Sequence, residues 1–110
     1  MADHILVVMS EPTEGQVDTF NNWYDTVHLP EMLTVPGVVA ARRYQAGPAL
    51  GAEPPRRFLA IYEINGSVDD ALAAIGAAAP GFNVSPAFDA AGALAYTFTP
   101  IGDEQVEKPK

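Results

Sequence analysis

The sequence predicts one α+β domain of order β-α-β-β-α-β, a four-stranded antiparallel sheet with both helices on one face. Three observations predict it. Four short apolar runs with β-branched or aromatic residues stand apart from the rest, most of them closed by Pro, Gly or Asn, as strands are. Two longer stretches carry apolar residues at spacings of three and four, as helices do. The 110 residues suit a single domain with one core.

The run Ile5-Leu6-Val7-Val8-Met9, closed by Ser10-Glu11-Pro12, reads as the first strand. Then Val17, Phe20, Trp23, Tyr24, Val27 and His28 share one helical face, with Asn21, Asn22, Asp25 and Thr26 opposite. Thr13 or Glu14 can start this helix, where acids suit the positive end of its dipole. Pro30 limits it, because the residue before a proline resists the α conformation. Glu31 to Thr34 leave room for a short turn before Pro36-Gly37. Val38 to Gln45 is the second strand. Residues 46–56, with three Pro and two Gly, form a loop long for a hairpin. Arg57 to Ile64 is the third strand, ended by Asn65-Gly66. Ser67 caps a second helix with Asp69 and Asp70 in its first turn and Val68, Leu72, Ile75 and Ala79 as its apolar stripe. Pro80-Gly81 stops it, residues 82–92 are irregular or weakly helical, and Ala93 to Thr99 is the last strand. Residues 1–103 thus form one domain, and 104–110 a polar tail expected to be flexible.

This order is the ferredoxin-like arrangement. A sheet with one wet face should alternate apolar and polar residues. Ile5 to Met9 are apolar on both faces, and Phe58, Ala60 and Tyr62 alternate with Leu59 and Ile61. Two helices cover only one face. A second copy of the sheet would cover the other, which predicts a homodimer of the dimeric α/β barrel type.

Composition narrows the function. Fourteen acids against six bases leave a net charge of −8, a field that repels phosphate backbones and excludes nucleic acid as partner. No apolar run is long enough to span a membrane, and residues 1–9 lack a basic leader, so a cytoplasmic location is expected. The absence of Cys removes disulfides, thiolate nucleophiles and thiolate metal sites. With only two His, no metal site is expected. No flavin, haem, nicotinamide or phosphate-binding motif is visible either, so no cofactor is expected.

The densest chemistry lies in residues 20–31. His28 shares the inward face with Trp23 and Tyr24, and imidazole can act as acid or base near neutrality. Tyr24 can donate to a carbonyl or enolate oxygen. Asp25 or Glu31, three residues to either side, can hold the imidazole in one tautomer. Equally, His28 can simply cap the last carbonyls of its helix. Arg42 and Arg43 are adjacent in a strand, so they point to opposite faces, and either can anchor an anionic substrate or pair with a nearby acid. By strand parity Arg43 goes with Ala41 and Val39, and Arg42 with Ala40 and Tyr44. Tyr62 and Tyr96 can line a pocket or pack the core.

The segment FNNWYDTVHLPEMLTVPGVVAARRYQ resembles the EthD-like branch of the dimeric α/β barrel superfamily. The matching elements are Trp23-Tyr24, His28, Pro30, Pro36-Gly37-Val38 and Arg42-Arg43-Tyr44. RFLAIYEING and ALAYTFTPIGDE are similar to the family's third and fourth strands, so the resemblance spans about residues 3–103. It implies a homodimer acting on a small aromatic, polyketide-like or lactone acid, with a His as acid/base. On that reading His28, Tyr24 and Asp25 are catalytic, Glu31 orients His28, and Trp23, Arg42, Arg43, Tyr62 and Tyr96 bind substrate in an apolar pocket between the first helix and the sheet. The expected chemistry is elimination, decarboxylation, isomerisation or cyclisation. A cofactor-free monooxygenase and a non-catalytic ligand-binding or stress protein are the alternatives. Haem-binding relatives need an axial His late in the chain, which is absent after His28.

Overall fold

The computed structural model describes residues 2–109; residues 1 and 110, the outer ends of the expected domain and tail, lie outside it. The strands are β1 (His4–Ser10), β2 (Val38–Gln45), β3 (Phe58–Ile64) and β4 (Leu94–Phe98). They form one antiparallel sheet in the order β2-β3-β1-β4, the ferredoxin-like topology. Their bounds differ from the expected ones by a residue or less at each end.

The first helical region departs from the simple amphipathic helix. Residues 13–16 form a turn, and α1 (Val17–Trp23) begins at Val17 rather than at Thr13 or Glu14. A π-helical turn, Tyr24–His28, joins it to α2 (Leu29–Met32) without a break in right-handed helical geometry. Pro30 therefore does not end the helix. Leu29 N–H donates to Tyr24 O, five residues back, and the wider turn brings Pro30 into the first turn of α2, where no N–H is required. Thr26 Oγ1 donates to Asn22 O at 2.7 Å inside the same region.

The second helix, α3 (Val68–Ala78), starts as expected: Ser67 Oγ accepts from Asp70 N at 3.2 Å. Its stripe is different. Ala71, Ala74, Ile75 and Ala78 meet the core, and Leu72 is exposed. Small residues let α3 lie close to the sheet edge, where the Ala71 Cβ would stand 3.5 Å from a Cβ at Gly37. Gly37 itself has φ +92°, the left-handed region that favours glycine, and its carbonyl accepts from Asn65 N. A 3-10 turn, Ala79–Gly81, follows α3, and the irregular segment after it returns to the sheet through a bridge between Phe88 and Pro12.

Register assigns the faces. Leu6, Ser10, Phe58, Ala60, Tyr62, Ile64, Ala41 and Arg43 share the helix-covered face. Together with Phe20, Trp23, Tyr24, Met32 and Ala71, the apolar members of that face form the core. Ile5, Val7, Met9, Leu59, Ile61, Leu94, Tyr96 and Phe98 share the opposite face with Arg42 and Tyr44. A bulge at Val39 breaks the expected parity: Val38, not Val39, turns to the core on the side of Ala41 and Arg43. Residues 101–109 carry no helix or strand, and no helix among the described residues is long and apolar enough to cross a membrane.

Candidate functional site

His28 sits in the last position of the π turn, enclosed by rings. Trp23 stacks on it at 4.9 Å between centroids, nearly parallel, while Tyr24, Phe82 and Tyr62 present themselves edge-on at 5.3, 5.7 and 6.5 Å. Its Nδ1 is buried and faces Glu31 Oε1 at 3.7 Å, too far for a good hydrogen bond. Burial holds the imidazole below its ordinary pKa, and the Glu31 carboxylate opposes that shift. The ring is therefore neutral at pH 7 and able to accept a proton. Its side chain remains 17% exposed, and with Nδ1 buried that access belongs to its other atoms.

Beneath lie two phenols. Tyr24 and Tyr62 are almost fully buried, and their hydroxyls neighbour each other and that of buried Ser10, yet neither phenol oxygen makes a hydrogen bond of good geometry. Burial pushes the Tyr24 phenol up, against the Ser10 and Tyr62 hydroxyls and the Arg43 charge. Burial pushes Tyr62 further, helped by Tyr24. Both stay protonated donors across the neutral range.

Arg43 occupies the far side of the Tyr24 ring, 4.6 Å from its centroid. It donates to Asp25 Oδ1 at 3.0 Å and to Asn21 Oδ1 at 2.7 Å, so α1 and the π turn clasp the strand. This settles which acid goes where: Glu31 faces the imidazole, and Asp25 belongs to Arg43 rather than to His28. The cause is the helix itself, since Asn21 and Asp25 are four apart and project together toward β2. Beside Arg43 opens a cleft of about 330 Å³ lined also by Asn21, Asp25, Tyr44, Gln45 and Phe58. A second, of about 270 Å³, lies beneath the 46–56 loop against Met9, Tyr44 and Leu59. The expected apolar pocket between the first helix and the sheet is instead filled by Phe20, Tyr24, Phe58 and Tyr62.

Of the expected site residues, the fold thus gathers His28, Trp23, Tyr24, Tyr62 and Glu31 into one cluster, with Arg43 and Asp25 adjoining. Arg42 and Tyr96 are left out. Both lie on the opposite face of the sheet, Arg42 against the Tyr44 ring at 5.9 Å and Tyr96 against Phe98 at 6.5 Å. The reason is strand parity: Tyr96 pairs with Val7, whose side chain points away from the helices. Two contributors escaped the sequence reading. Asn83 accepts from Trp23 Nε1 at 2.6 Å through its carbonyl, and its backbone N–H and side-chain amide donate to Glu31 Oε2 at 2.7 and 3.3 Å. Phe82 closes one side of the imidazole. Both sit in the irregular segment, where no periodicity could flag them. Among the described residues no three His, Asp or Glu side chains come together as a metal site requires.

No protein-family model matches the chain, and no curated protein matches it in sequence. Solved structures do match in shape. An ethyl tert-butyl ether D (EthD) family protein from Bacillus halodurans superposes at TM-score 0.59 with 15% identity, covering 92% of this chain and 100% of its own. HapK from Hahella chejuensis gives 0.59 and 13%, covering 96% and 99%. A mutant of MhuD, solved with two manganese protoporphyrin IX bound per active site, gives 0.66 and 15%, covering 94% and 99%. The chain has the α+β ferredoxin-like fold of EthD-family proteins.

Proposed function

We propose that the chain is a homodimeric small-molecule enzyme, working without a cofactor, that moves protons at His28. The observation that carries this reading is the neutral, largely buried imidazole packed against two buried, protonated phenols whose hydroxyls make no hydrogen bond of good geometry. A buried polar group without a well-placed partner costs about 1–3 kcal/mol, and a catalytic role is one reason a native structure retains such groups. In this reading His28 removes or returns a proton, Glu31 stabilises the imidazolium that forms, and Tyr24 and Tyr62 donate to the oxygen where negative charge develops. Trp23 holds the imidazole plane by stacking. The substrate class is a small aromatic, polyketide-like or lactone acid undergoing elimination, decarboxylation, isomerisation or cyclisation. Arg43 would take its anionic group by exchange for Asp25, whose side chain is 59% exposed. The homodimer is supported by the apolar face that the helices leave open, where a second sheet would bury Ile61, Tyr96 and Phe98.

The test is incubation of the purified protein with a panel of aromatic and lactone acids, followed by mass spectrometry and an oxygen electrode. Conversion without oxygen uptake, lost at least about a hundredfold in His28→Ala, is the expected result for a general acid/base. Full turnover by His28→Ala would overturn the assignment. Stoichiometric oxygen uptake by chelator-treated protein would make it a cofactor-free monooxygenase. Tight binding of unchanged acids would make it a ligand-binding protein.

A further inference from the structure

Glu31 uses its two carboxylate oxygens differently. Oε1 faces His28 Nδ1, and Oε2 accepts both donors of Asn83. Trp23, the sole Trp of the chain, also has two tasks: its face stacks on His28, and its Nε1 donates to the Asn83 carbonyl. One residue of the irregular segment is thus tied to two of the groups that surround the imidazole. Its neighbour Phe82 covers the ring edge, and Phe88 leans on Trp23 at 5.4 Å.

Between Phe82 and Phe88 there is neither helix nor strand. The near end follows Pro80-Gly81, and the far end is held to residue 13, where Thr13 N and Oγ1 donate to Ala87 O and Pro86 O, both at 2.7 Å. The middle is held by the Asn83 bonds, and Val84 beyond them faces solvent. A segment anchored at both ends, with one clipped point between, opens by releasing that point.

From this arrangement we infer that residues 82–88 form a strap over His28, with Asn83 as its positioning residue and Phe82 as its gate. Closed, the strap fixes Glu31 and Trp23 against the imidazole. Open, it exposes the ring edge and the Tyr24 and Tyr62 hydroxyls beneath. The inference rests on reading His28 as the reactive group, but it concerns access and not chemistry.

Diethyl pyrocarbonate, which acylates accessible neutral imidazoles, tests it without any substrate. Mass spectrometry of the His28 peptide gives the rate, with His4 as reference in the same chain. Glu31→Ala and Phe82→Ala should each speed His28 modification about tenfold or more relative to His4, the change that losing a charged hydrogen bond or a covering ring produces. Acrylamide quenching of Trp23 fluorescence should rise in parallel. In the unmodified chain the Asn83 amide should exchange with solvent through a local opening, well before the Tyr62 amide in β3. Equal His28 rates within twofold in both variants, or an Asn83 amide that exchanges only together with that of Tyr62, would overturn the strap. The exchange measurement needs no variant to fold. Turnover retained in His28→Ala would sink the proton-transfer reading while leaving these measurements as they stand.

Discussion

The two faces of this sheet are built from the same strands and do opposite things. On the helix-covered face, Tyr62, Ile64 and Ala60 are 1% exposed or less, and the polar atoms buried near them belong to a histidine, a glutamate, two phenols and a serine. On the other face Tyr96 is 50% and Phe98 53% exposed, with only Arg42 and Glu63 as charges. Adjacent residues Arg42 and Arg43 fall on different faces, and only Arg43 is clasped by carboxylate, amide and aromatic ring. Burial shifts the titration of side chains on one face, while the other leaves large apolar side chains exposed.

The largest way to break this contrast is to hollow the covered face. Phe20→Ala removes a fully buried ring that touches Tyr24 and Phe58, and should cost about 3–5 kcal/mol by urea unfolding. A loss below about 1 kcal/mol would mean that the helix is not seated as described. Next comes a charge on the open face. Tyr96→Arg places a guanidinium on its exposed apolar patch, and light scattering should show association weakened at least about a hundredfold toward single chains. An unmodified chain that is already monomeric at micromolar concentration would remove the association argument altogether.

The arginine pair sharpens the comparison further. Arg43→Ala should destabilise by about 1.5–3 kcal/mol, as expected for hydrogen bonds of a charged group. Arg42→Ala, measured under the same conditions, should stay within about 0.5 kcal/mol. The smallest effect is that of pH on His28. Its folded pKa lies below 6.5, so between the two values the unfolded chain binds the proton and the folded one does not. The stability it contributes is complete above pH 6.5 and falls as pH drops toward the folded pKa. His28→Gln should flatten that part of the stability–pH curve, and an unchanged slope would mean that the imidazole is not desolvated.

Much of the fold was legible from periodicity. The order of elements, the Ser67 cap, the strand over Val38–Gln45 and the double apolar character of β1 and β3 follow from local pattern, because period 2 and period 3.6 are properties of neighbours in sequence. The site was legible in part. Trp23, Tyr24 and His28 share a helical face and meet as that face predicts, whereas Tyr62 needed the sheet register to arrive beneath them. The π turn was invisible because it is a shift in backbone hydrogen bonding, such as that of Leu29 N to Tyr24 O, with no change of residue pattern. Leu72 misled because α3 approaches the sheet through alanines, and helix packing depends on the partner surface as much as on the helix. Tyr96 fell on the other face, which an aromatic residue on a strand does not announce in the sequence.

By itself, then, the sequence determined the order of the strands and helices and the shared face of Trp23, Tyr24 and His28, which rest on local spacing and composition. Only the tertiary structure decided which carboxylate faces which side chain, Glu31 toward His28 and Asp25 toward Arg43. It alone brought Asn83 across 52 residues to Glu31 and across 60 to Trp23. The physical reason is that hydrogen bonds and ring contacts reach only a few ångströms. Partners so far apart in the chain meet only after the strands have paired and the helices have packed on one face.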